Sequence, residues 1–162
     1  MQILKYLFLP ISLALLILGG CSETDHPDGS KHTGISVTDA WVAQKPDLTG
    51  VFGTLMNHTD KDVTVVGGHS EVATSVELHE TVTDASGSMK MQPKPGGFPI
   101  PANSMYRLEP GKDHLMLMGL KRELKVGEQV TIVLELSDGN SLEFTAPVKP
   151  FSGANEHYAP NK

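Results

Sequence analysis

The sequence predicts an all-β fold, a single antiparallel sandwich, on three observations. Short runs with alternating apolar and polar residues recur between positions 35 and 150, divided by Gly, Pro, Asn and Asp. Two of these runs, Val130 to Leu136 and Leu142 to Val148, flank Asp138-Gly139, a strong hairpin signal. Helical periodicity is nearly absent, with only Leu120 to Leu124 hinting at a helical turn.

Taken in order, extended segments are expected at Ile35 to Val42, Val51 to Asn57, Val63 to Val66, Thr74 to Leu78 and Ser88 to Met91. Ser104 to Leu108, His114 to Met118, Val130 to Leu136 and Leu142 to Val148 follow. In the closing hairpin Val130, Ile132, Leu134 and Leu136 share one face. Leu142, Phe144, Ala146 and Val148 share the matching face of the partner. Pro147 suggests that this last strand ends at a sheet edge, since proline lacks the amide that a central ladder needs. Pro110-Gly111 marks a turn shortly before His114. Some 115 residues suffice for one core, and no internal repeat is visible. Trp41 and Phe144 are core candidates, and Met56 and Met105 are expected to fill core gaps.

The ends have a different character. Lys5 followed by the largely apolar run Tyr6 to Leu18 reads as a secretory signal, too short to span a membrane comfortably. It ends in Leu18-Gly19-Gly20-Cys21, which looks like the lipobox of bacterial lipoproteins. That resemblance implies cleavage before Cys21 and its lipidation, palmitate included. Residues 1–20 are thus expected to be the signal peptide and 21–34 a lipidated tether. The domain proper spans 35–150 and a flexible polar tail 151–162. The protein would face the periplasm, or the outside of the plasma membrane in a Gram-positive envelope. His26 and His32 in the tether, His157 in the tail, and His58 and His69 in turn-like stretches read as solvated.

Composition narrows the chemistry. Cys21 is the only cysteine in the chain, so once it carries lipid the domain has no thiol. That excludes an internal disulfide, a thiolate zinc site, a cysteine nucleophile and a blue-copper centre. Thirteen Lys and Arg against nineteen Asp and Glu give a formal charge of −6, which argues against nucleic acid as a partner.

The remaining signal is a set of His and Met residues on three short extended segments: Val76 to Glu80, Met89-Lys90-Met91, and His114 to Met118. His114, Met116 and Met118 share one strand face, as do Met89 and Met91. Methionines on strands are often plain core fillers. Here Leu115 and Leu117 already supply the opposite apolar face, and a His–Met–Met face is an odd core. Imidazole with neutral, soft thioether sulfur suits Cu(I) far better than zinc, calcium or magnesium.

The stretches Ile35 to Val42, Val76 to Thr81 and His114 to Leu120 resemble the periplasmic copper chaperones of the PCuAC type over about Gly34 to Lys149. The resemblance implies a cupredoxin-like antiparallel Greek-key sandwich that binds Cu(I) through a His, a Met and a His-x-Met pair. The family spacing is about ten residues from His to Met, then about twenty-one to His-x-Met, a soft-ligand pattern spread over three segments. Transferred to this chain, it implies His79, His114 and Met116. For the middle ligand, eleven residues separate His79 from Met91 and nine separate it from Met89. Met91 misses by one residue on each side and is preferred, with Met89 and Met118 in reserve. The implied role is Cu(I) delivery without catalysis. The implied recipient is the copper centre of cytochrome c oxidase subunit II, with a Sco-type thiol protein as co-worker. Two other classes compete. An enzyme could use His79-Glu80 or Asp113-His114 as acid/base groups, but no nucleophile motif accompanies them. A structural or adhesive lipoprotein would need no metal at all.

Overall fold

A computed structural model describes residues 34–45, 48–151 and 157–158. The expected signal peptide, Cys21, nearly all of the tether with His26 and His32, and most of the tail lie outside the described residues.

Among the described residues there are eleven strands and no helix. They are β1 (Ile35–Gln44), β2 (Leu48–Asn57), β3 (Val63–His69), β4 (Ala73–Thr83), β5 (Met89–Pro93) and β6 (Phe98–Ile100). Then come β7 (Met105–Leu108), β8 (His114–Leu120), β9 (Gln129–Leu136), β10 (Ser141–Pro150) and β11 (His157–Tyr158). The order is β11-β5-β4-β8-β2-β1-β10-β9-β3-β6, with β7 also on β2. Pairing is antiparallel except at β1–β10 and β11–β5. The path folds over at the short β1–β10 ladder into two layers. The apolar faces of β4, β8 and β2 meet those of β3, β9 and β10 in one core, which includes Leu55, Val65, Leu115, Leu117, Ile132 and Leu134.

The closing hairpin has the expected register: Leu142 opposite Leu134, Phe144 opposite Ile132, Ala146 opposite Val130. Gly139 takes the positive φ (84°) that its turn requires. The Leu120 to Leu124 stretch is not helical; β8 runs to Leu120 and bends follow. Nor is β10 an edge strand. It lies between β1 and β9, and Pro147 is tolerated because the β1 ladder begins only at Val148, opposite Val42. Strand β6 has no counterpart in the sequence reading, since Pro99 interrupts a run of only three residues. Its flanking side chains, Phe98 and Ile100, are nevertheless fully buried. Within the expected tail, β11 pairs with β5 at Lys90 and Met91.

Trp41 is not a core residue, and the cause is a β-bulge. Thr38 pairs with Thr54 but Trp41 pairs with Phe52, so the register slips by one across Asp39 and Ala40. Asp39 sits at φ 54°, and Gly53 lies so close that a Cβ there would meet the Ala40 Cα at 3.1 Å. Simple alternation from Ile35 and Val37 puts Trp41 inside, whereas the bulge turns it onto the outer face of the sheet. Phe144 is half-buried and packs against the core. Met56 and Met105 are not core fillers either. They face each other on the outer surface at the β2–β7 ladder, and Met105 is 51% exposed.

Candidate metal centre

Strands β4, β8 and β5 carry the His and Met residues, and the register decides which of them meet. His79 pairs with His114 and Glu77 with Met116 across β4–β8. The amide of Lys121 bonds the carbonyl of Val72 in the same ladder. Alternation from that bond puts His79 and His114 at a non-hydrogen-bonded position, where facing side chains stand closest. The ring centroids are 5.9 Å apart, edge to face. Met91 lies opposite Thr81 and Met89 opposite Thr83. Met91 is therefore the diagonal neighbour of His79, while Met89 is one pair further, roughly 7 Å along the strand. Met91 is 9% exposed and Met89 is 43% exposed. Met118, opposite Ser75, lies one pair beyond Met116, away from the two rings.

All of these residues point away from the sandwich core, because Leu78, Leu115 and Leu117 occupy the alternate positions. His79, His114 and Met116 are buried all the same. An aromatic group lies on that face beside them. Phe52 lies 5.9 Å from the His114 ring, Trp41 lies 4.6 Å from Phe52, and Phe151 contacts both. The Phe52 ring folds back over Gly50, where a Cβ would meet it at 2.6 Å. Gly50 in turn lies opposite Met116, so its lack of a side chain leaves room for the aromatic ring. The sequence reading did not assign Phe52 or Phe151 to this place. A bulky residue two positions after a strand glycine was the available signal.

The two imidazoles are held by different partners. His114 Nδ1–H donates to the carbonyl of Lys112 at 2.7 Å, which leaves the lone pair on Nε2. That nitrogen is buried and accepts no hydrogen bond among the described residues. Burial lowers the pKa of His114 and the nearby His79 and Lys45 add to the effect, although the Lys112 carbonyl and Asp113 oppose it; the ring is neutral at neutral pH. A buried acceptor without a donor costs on the order of 1–3 kcal/mol, which bonding to a cation recovers. His79 Nε2–H donates to Glu77 Oε2 at 2.9 Å, which leaves its lone pair on Nδ1. A carboxylate or a carbonyl behind each ring is the arrangement that orients metal-binding histidines. The sequence pattern gives Glu77 no role of its own, although it lies two residues before His79 on one strand face. Among the described residues no three His, Cys, Asp or Glu side chains gather as a metal site.

Behind the site a polar cluster ties the strand ends together. Lys94 Nζ bridges Glu80 at 3.0 Å and Asp113 at 3.4 Å, and Tyr106 donates to Asp113. Gln92 donates to the other Glu80 oxygen at 2.9 Å. The cluster joins β4, β7, the end of β5 and the entry to β8, so it fixes the segments that present His79, Met91 and His114.

Comparison with known proteins agrees with this architecture. Residues 35–148 match the family described as "Putative lipoprotein LpqE-like". "Putative lipoprotein Lxx21020" of Leifsonia xyli is 41% identical over 153 residues, covering 91% of this chain and 92% of the relative. The solution structure of CuI-DR1885 from Deinococcus radiodurans is 40% identical, with TM-score 0.55, over 73% of this chain and 81% of that one. The copper-bound PCuAC domain from PmoF2, at 18% identity and TM-score 0.59 over 72% of this chain and 93% of that domain, shares the fold. The sandwich is thus cupredoxin-like, as the sequence resemblance implies, its structural neighbours include PCuAC domains, and the chain belongs to the LpqE-like family.

Proposed function

We propose that this protein is a lipid-anchored carrier that binds one Cu(I) through His79, Met91, His114 and Met116 and passes it to another protein. The observation that carries the reading is the meeting of two buried imidazoles with thioethers on a face outside the core. The similarity to a protein solved as its CuI form, at 40% identity, supports it. Cu(I) has a filled d shell and no strong angular demand, so two nitrogens and two sulfurs suffice, and a neutral set disfavours Cu(II). Without thiolate ligands the ion stays exchangeable, which suits delivery rather than storage. The proposed recipient is the copper centre of cytochrome c oxidase subunit II, with a Sco-type thiol protein as co-worker.

X-ray absorption on the purified Cu(I) protein is expected to show nitrogen and sulfur neighbours together. Met91→Leu should weaken binding and lower the sulfur scattering to that of Met116 alone, while Met89→Leu should leave both unchanged, since the swap nearly conserves volume. The reverse order would transfer the ligand role to Met89. A spectrum without sulfur would sink the assignment and favour a structural lipoprotein.

The anchor is proposed at Cys21 in the envelope, facing the periplasm or the outer surface of the plasma membrane. The lipoprotein relative supports it. Cys21→Ala should move the protein from the membrane to the soluble fraction with Cu(I) binding intact, because anchor and site lie on separate parts of the chain. Retention of lipid in that variant would overturn the anchor.

A further inference from the structure

We propose a second, weaker soft-metal site on the same outer face of the sheet, formed by Met56, Met105 and His58, for a monovalent ion such as Cu(I) or Ag(I). Met56 and Met105 pair directly across β2 and β7. The amide of Asn57 bonds the carbonyl of Ser104 at 2.8 Å, so the neighbouring Met56–Met105 pair occupies a non-hydrogen-bonded position, where facing side chains are nearest. His58 follows directly on β2. The three line one shallow surface cavity of about 210 Å³ together with Asn57, Asn103 and Ser104.

Three features suit this place to an ion. The Met105 sulfur faces outward, since it accepts from Arg107 Nη2 at 3.7 Å, a weak contact that an ion would replace. The His58 ring is held through Nε2 by Ser36 Oγ at 2.8 Å, which leaves Nδ1 as the nitrogen for a metal. The wall is rigid: the buried Asn57 side chain donates to the Lys61 carbonyl at 2.7 Å and the Ile100 carbonyl at 3.0 Å. Two thioethers and one imidazole make a neutral, three-coordinate soft site that has no use for zinc, calcium or magnesium. It is distinct from the first. Phe52 touches His114, and Met56 stands four residues further along β2, about 14 Å away at strand rise. Its exposure suits loading or hand-over, whereas the first site buries its ligands.

The test is a titration of the purified protein with Ag(I) alone, followed through the methionine methyl resonances. Met56 and Met105 are expected to shift in a second phase, after Met91 and Met116. In a His114→Ala, Met116→Leu background, one Ag(I) should still bind and move Met56 and Met105. Met105→Leu, at a half-exposed position that tolerates the change, should remove the second phase and spare the first. Ser36→Ala should weaken the second phase by about tenfold, as loss of an outer partner does for metal-bound histidines. Unmoved Met56 and Met105 methyls at saturating Ag(I), in either background, would overturn the proposal. Unmoved Met91 and Met116 methyls would instead count against the first site alone.

Discussion

His114→Ala combined with Met116→Leu is expected to abolish tight Cu(I) binding at the first site, leaving only the weaker phase at Met56 and Met105, while the far-ultraviolet dichroism and the unfolding transition stay close to those of the parent. The loss should exceed the roughly 10–100-fold that removal of an outer partner costs, because two of the four proposed ligands go. The fold should survive because neither residue belongs to the apolar cluster between the sheets. Met→Leu typically costs less than about 1.5 kcal/mol, and removing the His114 ring also removes a buried nitrogen with no donor. Copper titration and dichroism on the same sample decide the matter. An unfolded double variant would show these residues to be structural, and Cu(I) retained with the parent's affinity would place the first site elsewhere.

Phe98→Ala is expected to do the opposite. Phe98 is fully buried on the three-residue β6, and its ring stacks on Tyr106 at 5.4 Å between centroids. Truncation of such a ring costs about 3–5 kcal/mol through lost transfer energy and the cavity left behind. Urea unfolding should show that loss, with Cu(I) stoichiometry unchanged below the transition, since β6 borders the core on the far side from the two imidazoles. A change under about 1 kcal/mol would mean that β6 does not close the core.

How far the sequence is legible depends on whether local pattern and tertiary context agree. In the β9–β10 hairpin they agree: alternation and Asp138-Gly139 yield the register residue by residue. The outward face of β8 is also legible, because Leu115 and Leu117 declare which face is the core. The choice between Met91 and Met89 is not. Both lie on the same face by parity, and only the pairing of Thr81 with Met91 shows which one stands next to His79. Trp41 is misplaced by alternation because one bulge shifts the phase, and nothing within the run from Ile35 to Val42 announces it. Strand β6 hides behind Pro99, whose missing amide usually argues against a strand. Met105 reads as core by type, yet its partner across the ladder puts it on the surface. Glu77 and the Lys112 carbonyl escape a motif search because their roles exist only once the rings are oriented.

The position of β5 bears on how an ion leaves. Three of the proposed donors stand on β4 and β8, interior strands with neighbours on both sides, while the fourth stands on a five-residue strand with only the two-residue β11 beyond it. Short strands near a sheet margin open at lower free energy than interior ones. On the proposed ligand set, fraying at β5 would withdraw a single sulfur and leave the three donors of β4 and β8 in place. An incoming donor from an acceptor can then occupy that vacancy before any imidazole lets go. Departure would then be an associative exchange without a bare ion, and it would depend on the mobility of one hairpin rather than on the unfolding of the domain.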